Sequence, residues 1–388
     1  MKVKVEPEDF RVTEEADVPL SAGGAYLVCR LEKRGWNTLD VLHAVARRFG
    51  LPVGAFAWGG RKDRHAVTVQ YVTVETDRAL SVREDGYSLE PVGRSDRPMG
   101  PDLIRCNRFE IRLRGIAAGS RERFSDCLRG VVASGVENYY DDQRFAGVDP
   151  RMGFPGKMMV LGQFNGALKS FLTRPDPRGR AEDRERRDVF FARWKDWKAC
   201  REAAKTTLET TVFEYLAAHP RDFYGALRIL PRDEVALALS AWQSGVWNQC
   251  LVSLARELAG SGKSGSVRGE VGDYLFLRDP NPALITVLPT LEIPACGARP
   301  SLKDERVARI YREVLEREAI PANAFRKFTF ERMYLKSFLR RAWFQPEALR
   351  WEWAAEPDAG GRWSLLLRFA LPRGCYATML VKRLSLEA

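Results

Sequence analysis

The sequence of 388 residues contains only three histidines, and its seven cysteines are scattered without a Cys-x-x-Cys pair. These absences argue against a zinc site and a disulfide framework, since both need paired or closely spaced ligands. No run approaches the roughly 18 apolar residues that span a bilayer. The opening residues, MKVKVEPEDF, lack the apolar core of a signal peptide. We therefore expect a cytoplasmic protein with no metal and no membrane segment.

Charge and length give the first positive indications. Lys and Arg number 62 against 51 Asp and Glu, which leaves a formal net charge of +11. This excess favours a polyanionic partner, either a nucleic acid or an acidic membrane surface, without choosing between them. A hydrophobic fraction of 45% is enough for packed cores, and the length suggests two or three domains of about 150 residues each.

Apolar periodicity predicts an α+β protein. Period-two alternation predicts strands at Phe10–Glu15, Ala25–Leu31, Ala66–Val74, Arg108–Arg114, Trp351–Trp353, Trp363–Phe369 and Tyr376–Val381. Helical spacing predicts helices at Thr38–Phe49, Phe124–Val132, Gln163–Leu172 and Arg232–Ala259, followed by a Gly-Ser-rich loop at Gly260–Gly272. Because strands return only near the end, we expect residues 155–340 to form a helix-rich domain inserted between two parts of one domain, residues 1–154 and 341–388.

The first segment with chemical potential is the turn that begins at Gly59 and Gly60. It carries Asp63 between the cations Lys62 and Arg64. Neighbouring cations favour the ionised carboxylate, which suits a nucleophile or a general base. A surface turn with solvated ion pairs fits the same local pattern.

The second segment is the polar and aromatic string Asn138–Phe145. Asn, Gln and Arg side chains can contact bases or phosphates, and Tyr or Phe can stack on an unpaired base. A helix cap followed by core aromatics would produce the same composition. The tryptophans of the later helices, Trp194, Trp197, Trp242 and Trp247, are more typical of a helical core.

Five segments occur in the order found in one enzyme family. They are Pro7–Phe10 (PEDF), Gly60–Gln70 (GRKDRHAVTVQ), Asn138–Phe145 (NYYDDQRF), Ala241–Ser244 (AWQS) with Asn248, and Leu371–Thr378 (LPRGCYAT). Together they resemble the TruD family of tRNA pseudouridine synthases over nearly the whole chain. The resemblance implies a pseudouridine synthase fold, a mixed and mainly antiparallel sheet with helices, interrupted by a helix-rich TRUD domain. It also implies tRNA as substrate, no cofactor, and isomerisation of the uridine at the thirteenth nucleotide of certain tRNAs.

The resemblance also implies roles for individual residues. Asp63 matches the catalytic aspartate, and Tyr376 matches an aromatic that helps hold the target base. The other expected substrate-binding residues are Phe10, Lys62, Arg64, Asn138, Tyr140, Gln143 and Arg144. A uridine in folded RNA must be flipped out of its stack, so Tyr376 and Tyr140 would receive it. Lys62 or Arg64 would bind phosphate or hold the aspartate charged.

Three features leave alternatives open. Asp141 and Asp142 replace residues usual in the family, and no LPG-type block is evident around Leu288–Pro294. A non-catalytic RNA-binding or RNA-folding protein on the same scaffold is therefore the second hypothesis. A methyltransferase is weaker, since no Gly-rich dinucleotide-type loop occurs. The charge-dense stretch Arg178–Lys205 fits a solvated helix face or a tRNA contact, and we expect a monomer.

Overall fold

The computed structural model of the protein describes residues 1–175, 179–260, 264–321, 323–356 and 360–388. It contains two compact units. Unit 1 comprises residues 1–138, 281–289 and 343–388, and unit 2 comprises residues 139–280 and 290–342. The domain limits predicted above, at 154 and 340, stay predictions. The start of the Arg178–Lys205 stretch and part of the Gly260–Gly272 loop lie outside the described residues.

Sixteen strands lie in the described part of the chain. They are β1 (Lys2–Val3), β2 (Phe10–Ala16), β3 (Tyr26–Arg34), β4 (Phe56–Trp58), β5 (Val67–Glu75), β6 (Val82–Glu84), β7 (Tyr87–Ser95), β8 (Ile104–Ala117), β9 (Val136–Glu137), β10 (Ser264–Arg268), β11 (Asp273–Leu277), β12 (Glu292–Pro294), β13 (Leu339–Arg341), β14 (Trp343–Phe344), β15 (Glu347–Ala355) and β16 (Arg362–Pro372).

Thirteen α-helices accompany these strands within the same described ranges. They are α1 (Thr38–Phe49), α2 (Arg121–Ser134), α3 (Pro155–Val160), α4 (Phe164–Thr173), α5 (Ala181–Ala192), α6 (Trp197–Ala203), α7 (Thr207–Ala218), α8 (Phe223–Leu227), α9 (Arg232–Ala259), α10 (Pro282–Ile285), α11 (Glu305–Arg317), α12 (Ala324–Lys327) and α13 (Ala377–Ser385). None of them is long and apolar enough to cross a membrane.

Unit 1 is built on one ten-stranded sheet. Its strand order is β15-β16-β8-β2-β5-β3-β7-β6, with β1 paired to β8 and β4 paired to β5. Every pair is antiparallel except β2 with β5. The predicted mixed, mainly antiparallel sheet is therefore confirmed. The parallel pair matters for the site, because it sets the beginning of β5 beside Phe10 and Arg11 at the beginning of β2.

Helix α1 covers part of this sheet. Val41, Leu42 and Val45 lie at helical spacing and pack with Leu31 and Val72 of the strands in one buried cluster. The helix ends at Gly50, whose φ of 64° is the left-handed conformation that glycine adopts without steric cost. The predicted helix Thr38–Phe49 is confirmed at both ends.

Unit 2 is arranged around the 28-residue helix α9, whose predicted bounds are also confirmed. Its core tryptophans are buried, and Trp242 stacks on Phe325 with ring centroids 5.7 Å apart. Helix α3 approaches closely, because Gly156 has no side chain: a Cβ there would lie 2.4 Å from a carbonyl oxygen of α9. Leu237 of the same helix is 52% exposed.

Two predicted elements are wrong. The predicted strand Tyr376–Val381 is helix α13, in which Ala377, Leu380, Val381 and Leu384 recur at helical spacing and are buried. Six residues were too few to separate the two periods. The Gly-Ser-rich loop contains strand β10, which pairs with β11. Its residues show no apolar alternation, so the pairing depends on β11, where Phe276 is buried.

Candidate active site

The segment Gly59–Ala66 joins β4 to β5 and carries Asp63 just before the beginning of β5, an interior strand of the unit 1 sheet. Gly59 packs closely on Ile104, whose side chain would have to move to admit a Cβ, because the Cβ would lie 2.4 Å from its Cδ1 atom. Gln70 Nε2 donates to the Gly60 carbonyl at 3.3 Å. The Thr38 hydroxyl accepts the Lys62 amide at 3.3 Å and donates to Gln70 Oε1 at 2.9 Å. The loop is thus held by buried side chains from β5 and α1.

The Asp63 carboxylate is a partly buried anion with a cation against it. Lys4 Nζ forms a hydrogen-bonded ion pair with Oδ2, and the His65 amide donates to Oδ1 at 2.9 Å. Burial raises the pKa of this carboxyl, but the hydrogen bond and charge of Lys4, together with the His65 amide, outweigh it and leave the pKa below its usual value. Asp63 is therefore ionised at neutral pH, with about a quarter of its side chain exposed.

A second lysine contacts the same residue through the backbone. Lys33 on β3 is 1% exposed, and its Nζ donates to the Asp63 carbonyl at 2.7 Å. Burial lowers the pKa of Lys33 to about 8, against an opposing effect of the Asp63 charge. A buried ammonium is costly to keep in a fold. Its one described hydrogen bond goes to the backbone of Asp63, which fixes that backbone.

Lys62 is directed away from the Asp63 carboxylate. Its Nζ lies 2.6 Å from Oε2 of the fully buried Glu14 and donates to Asn107 Oδ1 at 2.9 Å. Only 10% of the Lys62 side chain is exposed. Arg64 is exposed, with Nε 3.4 Å from the Gly35 carbonyl. The cation hydrogen-bonded to the carboxylate is therefore Lys4, rather than Lys62 or Arg64 as expected.

Phe10 reaches this group through Lys4. The ring is 5% exposed, and Lys4 Nζ lies 4.3 Å from its centroid. The Phe109 ring packs edge-on with the Phe10 ring, with centroids 6.2 Å apart. The structure thus brings Phe10 and Asp63 together around one ammonium group, while the substrate contact expected of Phe10 stays a prediction.

Asn138 and Tyr376 lie on a second pair of elements in unit 1. Asn138 follows β9 directly and is 3% exposed. Tyr376 is half-buried and precedes the first residue of α13, which packs against β9. Their substrate contacts stay predictions.

The remaining predicted residues belong to unit 2. Tyr140 is buried: its backbone amide and carbonyl bond to Asn248 at 2.9 and 2.8 Å, and its ring lies edge-on to Trp247 and under Arg340. The Arg144 guanidinium bonds to hydroxyls of α9, among them Ser244 at 3.2 Å, while Gln143 is exposed.

These contacts join two of the segments that carry the resemblance. Tyr140 and Arg144 of the string bond to Asn248 and to Ser244 of the AWQS segment, so the core-aromatic interpretation describes Tyr140 where it lies.

The two acidic residues of the string have a described environment. Asp142 Oδ1 accepts hydrogen bonds from the Tyr274 hydroxyl at 2.7 Å and the Glu270 amide at 2.8 Å. Burial and the Asp142 carboxylate raise the pKa of Tyr274. Asp142 therefore anchors the β10–β11 hairpin of unit 2, and Asp141 is itself buried.

Lys4, Lys33 and Glu14 are contacts of the site that the sequence did not reveal. Lys4 lies 59 residues before Asp63, and no periodicity links the two positions. Lys33 lies on the same face of β3 as the buried Leu27, Cys29 and Leu31, two residues beyond the predicted strand Ala25–Leu31. A lysine in register with those apolar residues was the one available signal. No group of three or more His, Cys, Asp or Glu suited to a metal occurs among the described residues.

Comparisons with known proteins identify the family of the chain. A family model described as tRNA pseudouridine synthase D (TruD) matches residues 1–271 and 286–384. The tRNA pseudouridine synthase D of Aquifex aeolicus is 28% identical over 397 residues, covering 99% of this chain and 98% of the relative. The relative from Methanopyrus kandleri named "Probable tRNA pseudouridine synthase D" is 31% identical over 369 residues, covering 93% and 86%.

A crystal structure described as that of the "Putative tRNA pseudouridine synthase D (TruD) from Methanosarcina mazei" superposes with a TM-score of 0.71 at 22% identity. The match covers all of this chain and 94% of the other, which confirms the fold. The chain belongs to the TruD family of tRNA pseudouridine synthases, which are isomerases.

Proposed function

We propose that the protein converts a uridine of tRNA, the thirteenth nucleotide of certain tRNAs, into pseudouridine, with Asp63 as the nucleophile. The observation that carries the proposal is an ionised, partly exposed carboxylate in a loop held by buried hydrogen bonds. An anionic nucleophile needs a lowered pKa and a fixed position, and Lys4 and Lys33 supply these two conditions.

The reaction balances without a cofactor. The bond between ribose C1′ and uracil N1 breaks, and a bond between C1′ and C5 forms. C5 loses a proton and N1 gains one, so the product is an isomer of the substrate. In this scheme the Asp63 carboxylate attacks the ribose or the base and is released at the end. Half-buried Tyr376 would hold the detached base, and exposed Arg64 would contact phosphate.

The second hypothesis, a non-catalytic RNA-binding or RNA-folding protein, rests on Asp141 and Asp142 and on the missing LPG-type block. Asp142 anchors the β10–β11 hairpin inside unit 2, so its place in the string needs no RNA-binding explanation. A cytoplasmic location and a monomeric state are part of the present proposal.

The test is pseudouridine mapping on bulk tRNA treated with wild type, Asp63→Asn and the control Asp85→Asn. Asp85 is an exposed carboxylate in the turn between β6 and β7 of the same unit. Wild type and the control should form pseudouridine at the thirteenth nucleotide, and Asp63→Asn should form none while still binding tRNA. Equal product from Asp63→Asn would refute the nucleophile, and product at another nucleotide would refute the target.

A further inference from the structure

Unit 2 exposes aromatic rings in a strongly basic segment. Tyr334 is 69% exposed and Phe338 is 46% exposed. Residues 326–341 contain six Lys or Arg and a single acid, Glu331. Large exposed aromatics are uncommon away from interaction surfaces, since burial of a ring is favourable. The positive surroundings indicate which kind of partner would cover them.

The side chains alternate along this segment. Tyr334, Lys336 and Phe338 are exposed, whereas Leu335 between them is 5% exposed and Ser337 is half-buried. In an extended chain, alternate residues share a face and lie roughly 6.5 Å apart. We call Tyr334, Lys336 and Phe338 the aromatic–lysine face. It sets one cation between two rings.

The backbone under this face is fixed. Gln243 of α9, itself 7% exposed, donates to the carbonyl of Lys336 at 3.0 Å. The Ser337 hydroxyl donates to the Ala295 carbonyl at 2.6 Å, and the Ala295 amide donates to the Phe338 carbonyl at 2.9 Å. A fixed backbone means that the rings lose little conformational freedom when a ligand covers them.

A strained turn leads into the face. Glu331 and Arg332 have φ of 46° and 61°, a conformation that glycine and asparagine normally occupy in tight hairpin turns. The flanking Phe330 and Met333 exchange backbone hydrogen bonds of 3.1 and 2.7 Å. Backbone strain of this kind persists where the surrounding structure holds it, and it is frequent at ligand sites.

We propose that the aromatic–lysine face binds unpaired nucleotides of the RNA substrate, with bases stacked on Tyr334 and Phe338 and a phosphate held by Lys336. Every base has a stacking face, and interleaved rings and cations are the usual arrangement for binding a single strand. The proposal rests on tRNA being the substrate. It assigns part of the affinity to unit 2 and none of the chemistry.

The test measures binding of unmodified tRNA to the full chain. All variants carry Asp63→Asn, so that no product forms. The double variant Tyr334→Ala, Phe338→Ala should weaken binding about fivefold or more for each base that loses its ring. Tyr334→Phe should bind like the parent, because stacking needs the ring and not the hydroxyl. Leu237→Ala, which removes another exposed apolar side chain of unit 2, is the matched control and should bind normally.

Salt dependence separates the cation from the rings. Lys336→Ala should reduce the slope of log affinity against log salt by about 0.7–0.9, the value of one phosphate contact, and the aromatic variants should leave it unchanged. Lys303→Ala, an exposed lysine in the loop before α11, should not change it.

Two results would overturn the proposal. One is a double variant that binds tRNA like Leu237→Ala. The other is a sedimentation shift showing that the face joins two copies of the chain. Failure of this proposal is distinct from failure of the proposed function. If wild type makes pseudouridine but the double variant binds tRNA normally, only this proposal is refuted. A protein that needs the rings for binding but makes no pseudouridine refutes only the function.

Discussion

Replacing Lys33 by methionine should change stability in a pH-dependent way. Burial lowers the pKa of Lys33 from 10.5 to about 8, so the folded chain holds this proton more weakly than the unfolded chain. Linkage between these two values gives a cost to folding of about 3 kcal/mol at pH 7 and about 1.4 kcal/mol at pH 9.5. The cost disappears as pH rises, because the unfolded chain binds more protons throughout this window.

Methionine has nearly the same length and no charge, so the variant lacks this cost at every pH. The unfolding free energy of wild type minus that of Lys33→Met should therefore rise by about 2 kcal/mol between pH 7 and pH 9.5. Urea unfolding at several pH values measures the difference, in which the other titrating groups cancel. Lys303→Met, at an exposed site, should show no such trend. A difference for Lys33→Met that stays flat with pH would refute the reasoning.

The same substitution should reduce activity, because Lys33 Nζ holds the carbonyl of Asp63. A hydrogen bond from a charged donor is worth about 1.5–3 kcal/mol, which corresponds to a roughly ten- to hundredfold loss of kcat/KM if all of it serves to position the loop. The loss should appear in kcat, since Lys33 is buried and cannot contact tRNA. An increase in KM alone would contradict a positioning role.

Two further substitutions test contacts described above, both by chemical unfolding. Lys62→Met should destabilise unit 1 by about 3–5 kcal/mol, because it leaves the charge of buried Glu14 without its cation, and Lys62→Met with Glu14→Gln should recover most of the loss. Equal stability of the two proteins would refute the ion-pair account. Asp142→Ala should destabilise unit 2 by about 1–3 kcal/mol, since the Tyr274 hydroxyl loses its acceptor, while Asp142→Asn keeps an oxygen and should lose less.

The elements that the sequence predicted are those with long and unambiguous periods. Helices α1 and α9 were predicted to the residue, because each has an apolar pattern several turns long. Strand β5 was equally clear from its alternation. The predictions were wrong where the apolar pattern was short, as in α13. They were also wrong where only one of two paired strands has apolar residues, as in the β10–β11 hairpin. In those cases tertiary contacts decide the structure, and a single segment cannot show them.

In the site, too, some features could be predicted from the sequence and others could not. The local pattern, one carboxylate between two cations after two glycines, made Asp63 a candidate beside a plain surface turn, and the family resemblance implied its catalytic role. The local pattern pointed to the wrong cation, however, since charge next to a residue in sequence says little about which charge meets it in space. Lys62 forms its ion pair with Glu14 of β2. Lys4 lies in the linker before β2, and the parallel pairing of β2 with β5 sets the beginning of β2 beside the loop that carries Asp63. The pairing of those two strands is a property of the sheet, and only the assembled sheet could reveal it.

The positions of Lys4 and Lys33 in the fold bear on the chemistry of Asp63. A cation adjacent to Asp63 along the chain would move with the loop, whereas Lys4 lies in the linker after β1 and Lys33 lies on β3. The Asp63 carboxylate and carbonyl are each held by a lysine from outside the loop. The small glycines can therefore leave room for a substrate while the carboxylate keeps its orientation. Burial of the Lys33 charge lowers the stability of the fold, and in return Lys33 orients Asp63. Lys33→Met should therefore be more stable relative to wild type at pH 7 than at pH 9.5, while its kcat is lower.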